Sequence, residues 1–209
     1  MKKKYFFQFF VCVCLLSCNS SSYVFVNSKQ RFGVDFTKGK WLLNELDCPK
    51  NNREALTSET MQFFKGNLNE RLSYINDINV LISRKTLLNP TKVKLKELKD
   101  GTGFDYFINI VAKKNRDDLN AIGLYEDENS VGKSESVVIV EIYDLNLQQI
   151  IYSENVVGSD SSKKEKSIWE TKKSDKLIDN INFHKTANRL ILGALKKNFK
   201  RLKKTSIKN

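Results

Sequence analysis

Apolar residues recur along this chain at two spacings, and the alternation of these spacings predicts the order of its secondary structure. Steps of three and four residues place apolar side chains on one side of a helix, whereas every second residue, or a short continuous run, indicates a strand. The predicted helices cover 57–75, 89–101 and 181–202. The predicted strands cover 41–46, 78–82, 104–112, 137–143 and 150–157.

Local signals set the expected ends of the first two helices. Thr57 suits the N-cap of the first helix. The apolar stripe of that helix consists of Met61, Phe64, Leu68, Leu72 and Ile75. Asn89 and Pro90 suit the start of the second helix, with Asn as the cap and Pro at the first helical position. Gly101 suits a left-handed turn at its end.

These elements predict a single α/β domain of the α+β type in the order β-α-β-α-β-β-β-α. We expect one mixed sheet of about five strands with two to three helices. The runs 104–112 and 137–143 are apolar on both faces, which is typical of central strands. The residues expected in the core include Ile108, Ile110, Val138, Val140, Leu190, Ile191 and Leu195.

The first 18 residues have the pattern of an export signal. Three consecutive lysines at 2–4 precede an apolar run at 5–16, which is shorter than the roughly 20 residues that span a bilayer. The sequence Leu15-Leu16-Ser17-Cys18 then resembles the bacterial lipobox. This resemblance implies that the thiol of Cys18 is acylated, as in palmitate-bearing lipoproteins, and that the chain is cut before Cys18.

The predicted leader divides the chain into four parts. Residues 1–17 are the lipoprotein signal peptide, 18–39 a lipidated tether, 40–205 the single α/β domain, and 206–209 a tail. We expect the mature protein to be anchored in the bacterial cell envelope by its lipid, on the outer membrane and facing the periplasm.

Few side chains are available for metal or nucleophilic chemistry. Cys12 and Cys14 leave with the signal and Cys18 is acylated, so Cys48 is the remaining thiol of the mature chain. His184 is the single histidine of the sequence. The usual zinc ligand sets need more such residues. We therefore expect no catalytic residue, no metal site and no cofactor.

Three local patterns resemble a small α/β domain of bacterial envelope proteins. The first pattern is Gly-Thr-Gly-Phe-Asp-Tyr-Phe-Ile at 101–108. It is similar to the segment that leads into the third strand of that domain. The second is the hairpin at 140–144 and 150–153, where Gln148 or Gln149 stands in the usual place of glycine. The third is the closing amphipathic helix. The resemblance is to the curli secretion lipoprotein, the N-terminal domain of the Tol β-propeller protein and the lipoprotein activators of penicillin-binding proteins.

The charge of the chain points to an anionic partner. The formal net charge is +12, and removal of the three leader lysines leaves about +9. Cations near a helix C-terminus are favoured by the helix dipole, but the end of the last helix carries more of them than this explains. The candidate basic contact patch consists of Lys196, Lys197, Lys200, Arg201, Lys203 and Lys204. Export argues against nucleic acid, so the expected partners are another envelope protein or anionic headgroups.

These features favour a non-catalytic interaction or scaffold module in envelope assembly, secretion or wall synthesis. Two alternatives stay open. A carboxylate-dependent enzyme on envelope polymers needs a deep pocket with two perturbed carboxyl groups. A carrier of apolar ligands needs a large apolar cavity.

The lipobox resemblance makes a direct prediction for Cys18. Metabolic labelling with a fatty-acid analogue should mark the wild-type protein and leave Cys18→Ala unmarked, because the thiol is the attachment atom. Fluorescence of the two bands on a denaturing gel, normalised to protein amount, measures the difference. Equal labelling of both chains would contradict lipidation at this residue.

Overall fold

The computed structural model describes residues 21–26, 33–78, 88–117, 133–161 and 185–207, and the backbone of 122–123 and 182–183. Within these ranges the strands are Ser22–Val26 (β1), Trp41–Leu43 (β2), Leu72–Tyr74 (β3), Tyr106–Asp117 (β4), Ile122–Gly123 (β5), Lys133–Asp144 (β6), Gln149–Ser161 (β7) and Asn182–Phe183 (β8). The α-helices are Arg53–Leu68 (α1), Lys92–Thr102 (α2) and Ala187–Thr205 (α3).

Six of the strands form one mixed sheet in the order β1-β7-β6-β4-β2-β3, and β5 pairs with β8. Strand β2 runs parallel to both β3 and β4, whereas β4, β6, β7 and β1 pair antiparallel with their neighbours. The predicted fold class and the central position of β4 and β6 are confirmed.

The helices lie on both faces of the sheet. Helices α1 and α3 pack on one face, against alternate residues such as Ile108 and Ile110 of β4. Helix α2 packs on the other face, where Leu95 and Leu98 contact Phe107. All the residues predicted in the core are at most 1% exposed: Ile108, Ile110, Val138, Val140, Leu190, Ile191 and Leu195.

The first helix begins and ends earlier than predicted. It starts at Arg53, after the short 3-10 turn Lys50–Asn52, so Thr57 lies inside the helix. It ends at Leu68 because Asn69 has a φ of 52°, a left-handed value that asparagine tolerates better than most residues. Leu72 therefore belongs to β3 rather than to the helical stripe. A strand predicted at 78–82 lies mostly outside the described residues.

The second helix also has different caps from those predicted. Thr91, not Asn89, is the N-cap, and its side chain accepts a hydrogen bond from the N–H of Lys94 at 3.3 Å. The helix ends at Gly103, with a φ of 71°, rather than at Gly101. In both cases a residue with the same capping chemistry stands two positions further along the chain.

The hairpin strands are longer than their apolar segments. Strand β4 continues to Asp117 because its polar end still pairs with β6, as in Arg116 opposite Glu135. Strand β7 likewise continues to Ser161. In the connecting turn Gln148 has a φ of 53°, so it adopts the left-handed conformation that glycine usually supplies.

The tether predicted over 18–39 is wrong for the described part of that range. Ser22–Val26 is the edge strand β1, paired with β7 from Ser22 opposite Ser159 to Val26 opposite Asn155. Val34 and Phe36 are buried in the core. The apolar segment at 22–26 is short and lies close to polar residues, so it gives no clear strand pattern. Its pairing is not visible locally either, because Ser159 lies 137 positions from Ser22.

The central position of β4 predicts a large effect of shortening Ile110. Ile110→Ala should lower the free energy of unfolding by about 2–5 kcal/mol, because the residue is 1% exposed and the lost methyl groups leave a cavity. Leu147→Ala is the control, since Leu147 is 63% exposed and its loss should cost less than about 0.5 kcal/mol. Urea unfolding measures both, and equal effects would contradict the placement of Ile110.

Candidate functional site

Helix α3 carries the predicted basic patch, and its opposite side is buried on the sheet. The buried side chains of the helix are Ala187, Leu190, Ile191, Ala194, Leu195, Asn198, Phe199 and Leu202. The residues of this helix predicted in the core, Leu190, Ile191 and Leu195, are among them. Burial of this stripe fixes which residues of α3 face solvent.

A buried polar contact fixes the rotation of α3. Asn198 is 0% exposed, and its Oδ1 accepts a hydrogen bond from the Tyr152 hydroxyl at 2.8 Å. Its Nδ2 donates to the backbone oxygen of Glu154 at 3.0 Å. Burial raises the pKa of Tyr152, so this hydroxyl stays protonated and donates.

Glu154 of β7 is a buried carboxylate on this face of the sheet. It is 0% exposed, and its Oε1 lies 3.2 Å from Nε of Arg201. Removing the cation of a buried ion pair is strongly destabilising. Arg201, predicted as part of the contact patch, is therefore occupied in holding α3 to β7.

Strand β1 places an aromatic ring against α3 in a space that two glycines leave open. An added Cβ on Gly193 of α3 would lie 1.9 Å from Oη of Tyr23. An added Cβ on Gly158 of β7 would lie 3.0 Å from Cε1 of the same ring. Any larger residue at 193 forces the ring, and β1 with it, to shift.

Cations of α3 and of the segment before it lie over the aromatic rings of β1. Nζ of Lys185 and Nζ of Lys197 are each 5.9 Å from the centroid of the Tyr23 ring. The guanidinium of Arg201 lies 4.5 Å from the centroid of the Phe25 ring. We call Tyr23, Phe25, Lys185, Lys197 and Arg201 the basic–aromatic edge. The sequence pattern predicts only the basic half of this edge, because the polar residues around 22–26 indicate a tether.

The structure divides the predicted basic patch into separate groups. Lys196 lies 3.2 Å from Oε2 of Glu59 and so faces α1. Lys197 and Arg201 belong to the basic–aromatic edge. Lys200, Lys203 and Lys204 are exposed, and among the described residues they form no ion pair. We call these last three the α3-end lysines.

A second buried polar group lies on the opposite face of the sheet. Glu141 of β6 is 3% exposed and accepts a hydrogen bond from the Tyr143 hydroxyl. The backbone N–H of Asn89 also donates to Oε2 of Glu141, at 3.3 Å. Burial, with Glu141 beside the hydroxyl, raises the pKa of Tyr143. These contacts attach the segment before α2 to the sheet.

The described residues form a pocket of about 470 Å³ between the end of α1 and β3. Its polar lining consists of Lys65, Asn69, Glu70, Ser73 and Asp77. Glu70 and Asp77 are exposed carboxylates. A pocket of this kind offers polar contacts at the surface, whereas carriers of apolar ligands enclose an apolar cavity.

Other sequence-predicted residues lie elsewhere or outside the description. Cys18 and His184 lie outside the described residues. Cys48 is half-buried, and burial raises the pKa of its thiol. In the described ranges, no cluster of His, Cys, Asp and Glu side chains is arranged to hold a metal ion. None of the helices described has the length and apolar character needed to cross a membrane.

No protein-family model matches the chain, and no curated protein matches it in sequence. Among solved structures, the PelC dodecamer from Paraburkholderia phytofirmans is similar with a TM-score of 0.43 and 9% identity, over 90% of this chain and 100% of that chain. The hypothetical protein CT253 from Chlamydia trachomatis has a TM-score of 0.39 and 12% identity, over 79% of this chain and 98% of that chain. The lipoprotein GNA1162 from Neisseria meningitidis has a TM-score of 0.36 and 12% identity, over 62% of this chain and 88% of that chain.

One of these similar structures is thus a bacterial lipoprotein. None of the three is described as a member of the curli, Tol or penicillin-binding-protein activator groups, so that finer resemblance stays a prediction. TM-scores below 0.5 support no conclusion about the function of this chain.

The packing of Tyr23 against Gly193 predicts an energetic coupling between β1 and α3. Gly193→Ala should destabilise the wild-type protein, because the new methyl group overlaps the tyrosine hydroxyl. In a Tyr23→Ala background the same change should be neutral or stabilising by up to about 1 kcal/mol, since Ala favours helix over Gly. Urea unfolding of the four proteins should give a coupling of about 0.5–3 kcal/mol.

Gly66→Ala in α1 is the matched control for this cycle. An added Cβ at Gly66 meets nothing within 4 Å, so the change should have the same small stabilising effect in both backgrounds. Additive effects of Gly193→Ala and Tyr23→Ala would contradict the docking of β1 on α3.

Proposed function

We propose that this chain is a lipid-anchored protein of the bacterial cell envelope, with Cys18 as the anchor, on the outer membrane and facing the periplasm. Its domain is a non-catalytic interaction module in envelope assembly, secretion or wall synthesis. The partner is another envelope protein that presents an acidic surface to the α3-end lysines.

The observation that carries this proposal is the exposure of the α3-end lysines on a helix end that is held in place. Leu202 is buried in the same turn, and Ser206 donates its N–H to the backbone oxygen of Leu202 at 2.9 Å. Ile207 continues the contact through its N–H to the oxygen of Val34, also at 2.9 Å. Cations on a fixed backbone lose less conformational entropy on binding than cations on a frayed end.

The position of these lysines relative to the anchor suits a protein partner. Tyr23 lies beside Gly193 and Lys197, and Phe25 lies beside Arg201, so β1 and α3 run in the same direction. The α3-end lysines therefore lie toward the end of β1 that is further from Cys18. This arrangement leaves them accessible to a protein in the aqueous compartment.

The buried charges serve packing in this proposal. Glu154 holds α3 through Arg201, and Glu141 holds the segment before α2. An enzyme acting through carboxylates is the alternative that bears on Glu141. If the wild type hydrolysed purified wall polymer and Glu141→Gln did not, the domain would be that enzyme and not an interaction module.

A pull-down from detergent-solubilised membranes tests the proposed contact. The full chain, tagged at its C-terminus, is compared with Lys200→Gln/Lys203→Gln/Lys204→Gln by quantitative mass spectrometry of the co-purified envelope proteins. The recovery of a specific partner should fall roughly tenfold if each exposed ion pair contributes about 0.5 kcal/mol. Added salt should have the same effect on the wild type.

The control variant removes the same charge elsewhere. Lys40, Lys92 and Lys96 are exposed on other parts of the domain, so their change to Gln should leave recovery unchanged. Arg201 is kept in every variant because its loss would leave Glu154 buried without its cation. Equal recovery with the α3-end variant and the wild type would contradict the proposed contact.

A further inference from the structure

The distance between the anchor and the fold is limited by a very short connection. Only residues 19–21 separate Cys18 from Ser22, the first residue of β1. An extended chain spans at most about 3.3–3.6 Å per residue, so the Cα atoms of Cys18 and Ser22 lie within about 14 Å of each other. This step rests on the proposed acylation of Cys18.

This limit brings the start of β1 close to the lipid headgroups. Acyl chains hold Cys18 at the boundary of the hydrocarbon, and the headgroup layer above it is about 5–7 Å thick. Ser22 is then kept within about 8 Å of the outer headgroup surface, which is about one Debye length at physiological ionic strength. Charges beside the start of β1 are therefore incompletely screened from the lipid phosphates.

The side chains at this place have the chemistry of a membrane interface. Tyr23 follows Ser22 directly, and tyrosine is enriched at the headgroup level of membranes. The ammonium groups of Lys185 and Lys197 lie over the same ring, so they are at most twice 5.9 Å apart. Both lysines are exposed, and in the described part of the chain neither ammonium group forms an ion pair. The backbone N–H of Lys185 donates to Oδ2 of Asp160 at 2.9 Å.

We infer that the basic–aromatic edge is a docking site for anionic phospholipid headgroups of the membrane that holds the acyl chains. Lys185 and Lys197 bind the phosphates, and the Tyr23 ring that both ammonium groups contact lies at headgroup level. Arg201 contributes positive charge while it remains paired with Glu154. The site orients the domain on the membrane and leaves the α3-end lysines to the protein partner.

Lysine acylation on reconstituted protein tests this orientation. The mature lipidated protein is inserted into vesicles of phosphatidylcholine alone, or of phosphatidylcholine with phosphatidylglycerol, and treated with an amine-acylating reagent. Mass spectrometry then gives the reaction rate of each lysine. Lys185 and Lys197 should react roughly fivefold more slowly on the anionic vesicles, the factor that about 1 kcal/mol per cation at an anionic surface corresponds to.

Two lysines away from the start of β1 are internal controls, Lys40 at the other end of the sheet and Lys92 on α2, which packs on the face opposite α3. Lys40 precedes β2, which pairs with the start of β4, whereas Ser22 is aligned with the end of β4 through β7 and β6. Lys40, and Lys92 on α2, should react equally on both kinds of vesicle. High salt should raise the rates of Lys185 and Lys197 on anionic vesicles to those on neutral ones.

Single substitutions test whether the two lysines act at one site. In Lys185→Gln the protection of Lys197 should decrease, and in Lys197→Gln that of Lys185 should decrease, because each cation holds the other near the phosphates. Lys40→Gln is the matched control and should change neither. A flexible insertion of about 20 residues after Ser21 should also reduce protection, since a longer linker lowers the effective concentration of the surface.

Flotation of the same samples separates this inference from the proposed function. Protein that fails to float with neutral vesicles lacks the lipid anchor, and the proposed function then fails as well. Protein that floats, but whose Lys185 and Lys197 react equally on both vesicles, overturns the headgroup site alone.

Discussion

The pairing of Glu154 with Arg201 is the contact on which one whole side of this molecule depends. A carboxylate in the interior is tolerated when a cation or hydrogen-bond donors compensate for lost water. Arg201 reaches Glu154 because α3 has a particular orientation about its own axis. Asn198 stabilises the same orientation by contacting both Tyr152 and the Glu154 backbone. The rotation in turn decides that Lys200, Lys203 and Lys204 face solvent.

The two faces of the sheet use their buried carboxylates in parallel ways. Glu141 and Glu154 come from adjacent antiparallel strands, β6 and β7, but point to opposite faces. Each one receives a group from a segment that packs on the sheet, Arg201 of α3 in one case and the Asn89 backbone before α2 in the other. Apolar burial supplies most of the packing. The polar contacts fix where each segment lies along the sheet, because a shifted segment would lose its contact with the buried carboxylate.

The sequence predicted the parts of this fold that local apolar patterns determine. Strand β4 and the buried stripe of α3 are visible because their side chains repeat with the period of the element. The ends are less visible, since Asn89 and Thr91 have the same capping chemistry and the local pattern does not distinguish them, although Thr91 is the cap. The polar end of β4 is a strand because β6 pairs with it, which no local pattern indicates.

Only half of the candidate site could be predicted from the sequence, for the same reason. The lysines of α3 are evident in the sequence, but Tyr23 lies 170 positions from Gly193 and its packing is a property of the assembled fold. Glu154 gave no signal either, because a single acidic residue in a strand usually faces water. Arg201 pairs with this buried carboxylate, whereas Lys200 is exposed to solvent. The sequence alone therefore does not distinguish the two residues.

The pairing of β1 with β7 also has a consequence for how the domain folds. Ser22 pairs with Ser159, and Tyr23 packs on Gly193, so all these partners of β1 lie late in the chain. Loop closure over such separations is slow compared with the local β6–β7 hairpin. We therefore expect β1 to join last and to open first, as a local unfolding unit that leaves the remaining five strands assembled. With the proposed acylation of Cys18, opening of that unit would lengthen the connection to the lipid, and the domain would rise from the membrane without losing its core.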